Sequence, residues 1–122
     1  MADAGWIYEV FAAFEAKDGE RAASFFAEDG YFEVPALDLR VTGREALAKM
    51  FGVDSSEWSA DEHSDLENVV WDGEGFAVQW RSMGTREADG GSFDYRGASV
   101  GRVRDGLVTS WTDYFDPAAL AS

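Results

Sequence analysis

The N-terminal quarter of the chain carries apolar residues at the spacing of an α-helix. Five of them share one face of a first predicted helix: Trp6, Ile7, Val10, Phe11 and Phe14. Asp3 is placed to cap this helix, and Gly19 follows its end. A shorter second helix is predicted next, with four residues on its buried side: Ala22, Ala23, Phe25 and Phe26. Residues 28–30 then turn the chain, so the two helices form an αα-hairpin.

A short strand and a third helix are predicted after this hairpin. Residues 31–34 alternate in polarity and stop at Pro35, which is typical of an edge strand. Thr42 and Glu45 have the spacing of a capping box, so we expect a helix from there to about Phe51.

The hydrophobic period changes to two in the second half of the chain. Residues 53–64 come first; they are polar, acidic and aperiodic, and we expect a loop that contains Trp58 and His63 and folds over part of the domain. From Leu66 onward, three Asp-Gly turn signals separate four predicted strands: about 65–71, 75–87, 92–104 and 107–115. Consecutive strands joined by tight turns form an antiparallel meander.

Helices that precede a meander indicate one α+β domain spanning residues 1–122. The predicted fold is a cone-shaped barrel of a curled, mainly antiparallel sheet, with the three N-terminal helices packed on its concave face. Glycines within the strands, at Gly84, Gly97 and Gly101, are interpreted as bends or bulges that curl the sheet.

The last predicted strand contains the most informative residue. Trp111, Asp113 and Phe115 share one face of it, so a carboxylate stands between two aromatic rings. Such a residue needs either a cationic partner, for which Arg81 and Arg96 are candidates, or a role in the chemistry of a pocket.

Side-chain alternation offers two assignments of the sheet faces. We expect Arg81, Tyr31 and Glu33 to lie on the pocket face with Asp113, because this arrangement lets the charges pair. Val78 and Trp80 then lie on the opposite face, which would be apolar and exposed in a monomer. That assignment predicts a homodimer formed through the face of Val78 and Trp80.

Composition excludes several classes of function. A formal charge of −14 and an isoelectric point near 4.2 disfavour nucleic acid and membrane surfaces as partners. The chain has no cysteine and one histidine, so neither disulfides nor a histidine-rich metal site is expected, and no cofactor is predicted. No apolar run approaches the roughly 20 residues of a membrane span, and we expect a cytoplasmic protein. The acidic, lysine-poor composition fits either a halophilic source or a GC-rich genome.

These elements resemble the nuclear-transport-factor-2-like superfamily of cone-shaped α+β barrels. The segments that resemble it are Ala-Glu-Asp-Gly-Tyr-Phe-Glu-Val-Pro, Val-Thr-Gly-Arg-Glu-Ala-Leu and the closing Trp-Thr-Asp-Tyr-Phe-Asp. Within the superfamily, the chain is most similar to SnoaL-like polyketide cyclases and limonene-1,2-epoxide hydrolases. The ketosteroid isomerases of the same superfamily use an Asp and a Tyr where Val34 and Val10 stand here, so that activity is excluded.

The resemblance to the epoxide hydrolases implies a set of site residues. Trp111 and Asp113 match the wall Trp and the Asp that activates water, and Tyr31 matches the water-holding Tyr. Glu33 replaces an Asn and is the candidate acid. With a one-residue deletion in the preceding hairpin, Arg81 matches the bridging Arg and Met83 stands at the acid Asp.

An alternative alignment without that deletion places Trp80 and Ser82 at the positions of the bridging Arg and the acid Asp. The expected substrate-binding wall consists of four residues: Trp111, Met83, Phe93 and Tyr95. Two functions remain open at this point. One is a cofactor-independent acid–base enzyme acting on a small apolar substrate, as epoxide hydrolase, cyclase or isomerase. The other is a non-catalytic module that binds a hydrophobic ligand or dimerises.

Overall fold

The computed structural model describes residues 3–52, 62–86 and 89–120. The helices are α1 (Gly5–Glu15), α2 (Gly19–Ser24) and α3 (Arg44–Phe51), and the 3-10 turns η1 (Pro35–Leu37) and η2 (Pro117–Leu120) follow two of the strands. The strands are β1 (Phe26–Val34), β2 (Leu39–Thr42), β3 (His63–Trp71), β4 (Gly75–Thr85), β5 (Ser92–Arg104) and β6 (Leu107–Phe115). None of the described helices is long and apolar enough to cross a bilayer.

The six strands form one sheet in the order β2-β1-β6-β5-β4-β3. Strands β3 to β6 pair antiparallel in sequence order, so the predicted meander is confirmed. The β5–β6 turn is a tight one, since Asp105 and Gly106 both have positive φ, as a type I′ hairpin requires. Strand β1 runs parallel to β6, and the sheet is mixed. The sheet is open rather than closed into a complete barrel, because β2 and β3 are not paired with each other, and the predicted α+β class is confirmed.

The N-terminal half differs from the sequence prediction in three places. Helix α2 ends at Ser24, and Phe26 begins β1, which is longer than predicted and continues through the expected turn with a shift in register. Strand β1 is internal, because β2 forms the edge beside it. Helix α3 is capped by Gly43 without a side-chain hydrogen bond, so the capping box at Thr42 does not form. Asp18 does cap α2, by accepting a hydrogen bond from the Arg21 amide.

Helix α1 packs on the sheet face that we call the inner face, which carries Phe76, Val78, Trp80, Trp111 and Asp113. Trp6 meets Phe76 edge-on at 5.3 Å between ring centroids, and Phe11 lies 5.6 Å from Trp111. Trp111 is fully buried at the centre of this aromatic cluster. We call the opposite side the outer face.

Glycines on β5 make room for the large rings of β4. Gly97 lies opposite Trp80 and Gly101 opposite Phe76, and a Cβ atom at either glycine would collide with the ring. At these two positions, glycine therefore permits close packing of a neighbouring ring rather than marking a bulge. The bulge of this strand lies at Arg102/Val103.

Candidate functional site

A cavity of about 250 Å³ lies between the inner face of the sheet and the elements that pack on it. Half of its lining residues are aromatic: Phe11, Phe14, Phe32, Phe51, Trp80, Tyr95, Trp111 and Phe115. Five polar residues interrupt this wall: Glu15, Glu62, Ser64, Ser82 and Asp113. An apolar concavity with a few convergent polar groups is the usual form of a small-molecule site.

Asp113 faces the cavity from β6, between the rings of Trp111 and Phe115. Its Oδ1 atom accepts two hydrogen bonds, from Ser99 Oγ at 2.5 Å and from Trp111 Nε1 at 2.8 Å. Burial among aromatic rings raises the pKa of Asp113 to about 6, although both hydrogen bonds act in the opposite direction. Asp113 is therefore a fixed carboxylate that can gain or lose a proton near neutral pH.

Ser99 connects Asp113 to the neighbouring strand. Trp80 Nε1 donates to Ser99 Oγ at 2.9 Å, and the Ser99 hydroxyl in turn donates to Asp113. The antiparallel register places Ser99 directly opposite both Val78 and Asp113. The Trp111 indole N–H and the Ser99 hydroxyl thus hold the carboxylate, and the Trp80 indole N–H orients that hydroxyl, where the sequence analysis expected an arginine.

Tyr95 supplies a phenol to the same cavity. Its ring packs 5.6 Å from Trp80 and 5.5 Å from Phe115. Burial, with smaller contributions from the charges of Glu62 and Asp113, raises the pKa of Tyr95 to about 12. The hydroxyl therefore stays protonated at neutral pH and keeps its capacity to donate a hydrogen bond. Ser82, only 3% exposed, lies close enough to lower that pKa slightly.

A second group of carboxylates lies where α1 meets β3. Glu15 Oε1 accepts a hydrogen bond from the Ser64 amide at 2.6 Å and lies 3.3 Å from His63 Nδ1. Burial and the charge of Glu15 raise the pKa of Glu62, whereas Lys17 lowers it. His63 is exposed on β3, and its hydrogen bond to Asp65 and the charge of Glu15 raise its pKa. Among the described residues, no group of three or more His, Cys, Asp or Glu side chains could hold a metal ion.

The predicted grouping of Arg81 with Asp113 is wrong. Arg81 points to the outer face, where its guanidinium forms a bidentate ion pair with Asp94, with Nε 2.7 Å from Oδ1. Arg96 is also on that face and pairs with Glu67. Trp80 and Val78 occupy the inner face instead and are 5% and 0% exposed. The predicted dimer contact through Val78 and Trp80 is therefore wrong as well.

Glu33 and Tyr31 also lie on the outer face. Glu33 Oε1 accepts a hydrogen bond from Thr112 Oγ1 at 3.0 Å, and Arg40 lies 3.9 Å from its Oε2 atom. The Arg40 guanidinium stacks over the Tyr31 ring at 3.7 Å. Neither residue reaches the cavity, because their neighbour Phe32 occupies the inner face of β1.

The predicted wall residues divide between the two faces. Trp111 and Tyr95 line the cavity, and Phe93 is buried beside Tyr95 without lining it. Met83 has the same parity as Arg81 and lies on the outer face, opposite Asp94. Trp58 lies outside the described residues, and His63 belongs to β3 rather than to a loop.

Sequence reasoning missed Ser99, Ser82, Glu15 and Glu62 as residues of the site. Ser99 shares the parity of Tyr95, which was assigned to the wall, so the alternation of β5 contained the signal that could have identified it. Ser82 shares the parity of Trp80 and appeared only in the alternative alignment. Glu15 and Glu62 reach the cavity through tertiary packing that no periodicity reveals.

Comparison with known proteins identifies the family of this chain. The SnoaL-like domain model matches residues 7–111. No curated protein matches the sequence at a significant level. Many solved structures share the fold, among them the following three. The first is a hypothetical protein with a ketosteroid isomerase-like fold from Catenulispora acidiphila DSM 44928, in complex with trimethylamine. It has a TM-score of 0.84 at 19% identity, covering 93% of this chain and 87% of that one.

The second structure is TerC co-crystallised with polyporic acid, with a TM-score of 0.79 at 17% identity and 95% of both chains covered. The third is an NTF2-like protein from Burkholderia xenovorans LB400, with a TM-score of 0.75 at 25% identity, covering 94% of this chain and 89% of that one. The matched family model and the shared fold agree. The chain belongs to the SnoaL-like domain family of the nuclear-transport-factor-2-like superfamily.

Proposed function

We propose that this protein is a cofactor-independent acid–base catalyst of the cyclase or isomerase type. Its substrate is a small, largely apolar molecule with an enolisable carbon next to a carbonyl group. Asp113 is the general base, and Tyr95 donates a hydrogen bond to the oxygen that becomes negative. Trp80 and Trp111 form the apolar wall on either side.

The observation that supports this proposal best is the environment of Asp113. A general base works most efficiently when its pKa lies near the working pH, and burial raises the pKa of Asp113 to about 6. The hydrogen bonds that Ser99 and Trp111 donate both end on Oδ1, which leaves Oδ2 as the atom to meet a substrate. The carboxylate is thus oriented as well as tuned.

The proposed reaction begins with proton transfer from a substrate carbon to Asp113. The substrate C–H bond breaks, its proton moves to Asp113 Oδ2, and the electron pair passes to the carbonyl oxygen to give an enolate. The Tyr95 phenol, which burial keeps protonated, stabilises that oxygen by a hydrogen bond. Return of the proton from Asp113 to another carbon of a conjugated enolate gives isomerisation. In ring closure the enolate carbon forms a C–C bond with a second carbonyl carbon, and the proton on Asp113 passes to the alkoxide that results.

Epoxide hydrolysis fits this site less well. The resemblance to epoxide hydrolases requires an Arg and an acid Asp on the strand that becomes β4. Trp80 and Ser82 are the β4 residues that line the cavity, as in the alignment without a deletion. Indole and hydroxyl groups cannot replace an arginine-held acid that protonates an epoxide oxygen. We therefore favour proton abstraction from carbon.

Binding of a small molecule is common to both functions left open by the sequence. The structural relatives from Catenulispora acidiphila and TerC hold trimethylamine and polyporic acid. By analogy, the cavity here takes a small ligand. A non-catalytic binding module remains the alternative, because no cationic side chain among the described lining residues orients Asp113.

The deciding experiment measures proton transfer directly. Exchange of α-protons for deuterium in a panel of polyketide-like aromatic ketones is followed by NMR in D₂O, with epoxides as a second panel. We expect kcat/KM for exchange to rise with pH through an apparent pKa of about 6 and then to level off, because the base must be ionised.

Asp113→Asn should reduce the exchange rate by about 10²–10⁴-fold, the usual contribution of a positioned base. Asp94→Asn, which removes one negative charge from the outer face, is the matched control and should exchange at the parental rate. A parent protein that binds these ketones but exchanges no protons would establish the binding-module alternative instead.

A homodimer is still proposed, but it cannot form through Val78 and Trp80, because both residues are buried on the inner face. The outer face exposes three apolar side chains that could supply the contact: Val70, Val100 and Tyr114. Sedimentation at low and high salt tests it, and a monomer under both conditions would refute it. The cytoplasmic location and the halophilic source remain predictions from composition.

A further inference from the structure

The charge of the cavity lining is entirely negative among the residues described. Asp113, Glu15 and Glu62 line it, and no Lys, Arg or His side chain does. The sequence of segments 53–61 and 87–88 contains no Lys, Arg or His either, so no side chain from those segments could supply a cation to the cavity. Burial raises the pKa values of Asp113 and Glu62, so these two carboxylates are costly to ionise unless a positive charge is brought in.

Positively charged side chains lie near two of these three carboxylates, Glu15 and Glu62, but not within the cavity lining. His63 is close to Glu15, and Lys17 lowers the pKa of Glu62, but both lie outside the lining. Within the part of the chain that the structure describes, the hydrogen bonds to Asp113 come from neutral donors, Ser99 and Trp111. An anionic ligand would be repelled by all three carboxylates, and a neutral one would leave their charges uncompensated.

The hydrogen-bonding groups of the cavity also favour a ligand rich in donors. The indole N–H groups of Trp80 and Trp111 already donate to Ser99 and Asp113. Ser82 Oγ is buried, lines the cavity and has no hydrogen bond of standard geometry. The Ser82 hydroxyl can donate one hydrogen bond, but its lone pairs and the carboxylate oxygens are acceptors, and an ammonium group carries three donors and no acceptor.

The aromatic wall adds a third preference in the same direction. Tyr95, Trp80 and Phe115 pack around one part of the cavity, with ring centroids 5.5–6.3 Å apart. The faces of such rings attract cations, and this attraction strengthens in a site from which water is excluded. Glu62 and Asp113 both lie close enough to Tyr95 to act on its hydroxyl, so this ring stands near two carboxylates.

We propose that the natural ligand of this cavity carries a protonated amine on an apolar body, with the ammonium group bound near Glu62, Glu15 and Ser82. This leaves Asp113 free for the proton transfer. The inference rests on the proposed function in that it names the substrate class of the same site, but it concerns recognition and not catalysis.

Three probes of similar size and different charge test this inference: phenethylamine, phenethyl alcohol and phenylacetate. Titration calorimetry at about pH 7.5 and about 0.15 M salt measures their affinities for the parent protein. We expect phenethylamine to bind at least about tenfold more tightly than the alcohol, and phenylacetate to bind most weakly.

Glu62→Gln keeps the shape of the side chain and removes its charge. We expect it to lower the preference for the amine over the alcohol to about twofold or less. Glu74→Gln removes the same charge from the exposed β3–β4 turn and should retain the parental preference. The inference is overturned if the alcohol or phenylacetate binds as tightly as the amine, if none of the three binds, or if Glu62→Gln retains the preference.

These outcomes are separable from those of the catalytic proposal. A parent that prefers amines but exchanges no α-protons contradicts the proposed function alone. A parent that exchanges α-protons of neutral ketones and shows no preference for amines contradicts the ligand inference alone. Asp113→Asn should lose exchange and still prefer phenethylamine if both hold.

Discussion

The two faces of the sheet use carboxylates in opposite ways. On the outer face, Asp94 and Glu67 are each paired with an arginine, and all four side chains are well exposed to solvent. On the inner face, Asp113 lies among aromatic rings and is held by neutral donors. Ion pairs of this kind resemble the charge pairs of a functional site, but here water screens their interaction. Burial raises the pKa of Asp113 to about 6, whereas hydrogen bonds from the arginine partners lower the pKa values of Asp94 and Glu67.

This difference shows why pairing charges was a misleading guide to the pocket. An arginine beside Asp113 would hold its carboxyl ionised and make it a weak base. Neutral donors fix its orientation while burial keeps its proton affinity high. A site for proton transfer near neutral pH is therefore better made from indole and hydroxyl groups than from an ion pair.

The largest effect is expected when a carboxylate is placed on the buried inner face rather than on the exposed outer face. Val78→Asp places a carboxylate in the core without a partner, and we expect a loss of about 3 kcal/mol or more in the free energy of unfolding, or failure to fold. Gln79→Asp, one residue along on the exposed outer face, should change it by less than about 0.5 kcal/mol. Urea denaturation measures both variants. Equal effects would mean that the faces are not distinguished by burial.

Asp113→Asn tests the energetic cost of the unpaired carboxylate. Because the folded-state pKa is raised, the parent is penalised only above the unfolded-state value of about 3.9, and the penalty is complete above about 6. We expect the variant to gain up to about 3 kcal/mol over the parent at pH 8 and nothing at pH 4. The free energy of unfolding against pH gives the answer, with Asp94→Asn as the charge-matched control. A gain that is the same at both pH values would refute the assignment.

Ser99→Ala tests how much the neutral donors contribute to stability and to the pKa of Asp113. The substitution removes the hydroxyl that donates to Asp113 and accepts from Trp80, so a buried indole N–H loses its partner. We expect a destabilisation of about 1–3 kcal/mol and a further rise in the pKa of Asp113. The pH profile of proton exchange and the NMR titration of the carboxyl carbon report that rise. Ser92→Ala, at the exposed start of β5, is the control, and an unchanged profile in Ser99→Ala would contradict the prediction.

The smallest effects are expected on the outer face. Arg81→Gln and Glu33→Gln should leave proton exchange and amine binding at parental values, because neither side chain lines the cavity. Their exposed or half-exposed ion pairs are screened by solvent, so their stability should change little at high salt. A large loss in the rate of proton exchange in either variant would mean that the substituted residue does contribute to the site.

The meander could be predicted closely because its signals are local. Each of its turns contains an Asp-Gly pair or an Asp-Gly-Gly triplet, and β5 has the predicted bounds Ser92–Arg104. The first half was harder, because Phe25 and Phe26 fit a helix as well as a strand. Pairing of β1 with β2 and β6, which is a long-range interaction, decides that Phe26 begins a strand.

The sequence by itself determined the α+β class, the strand order of the meander and the fact that Asp113 stands between aromatic rings on one face of β6. It determined which residues of each strand share a face, since that follows from a period of two. Only the tertiary structure decided which face of β4 joins Asp113. That choice depends on two contacts of Trp80, whose ring packs over Gly97 and whose N–H group donates to Ser99. The alternation of side chains along a strand cannot predict such contacts, because the alternation is the same whichever face is buried.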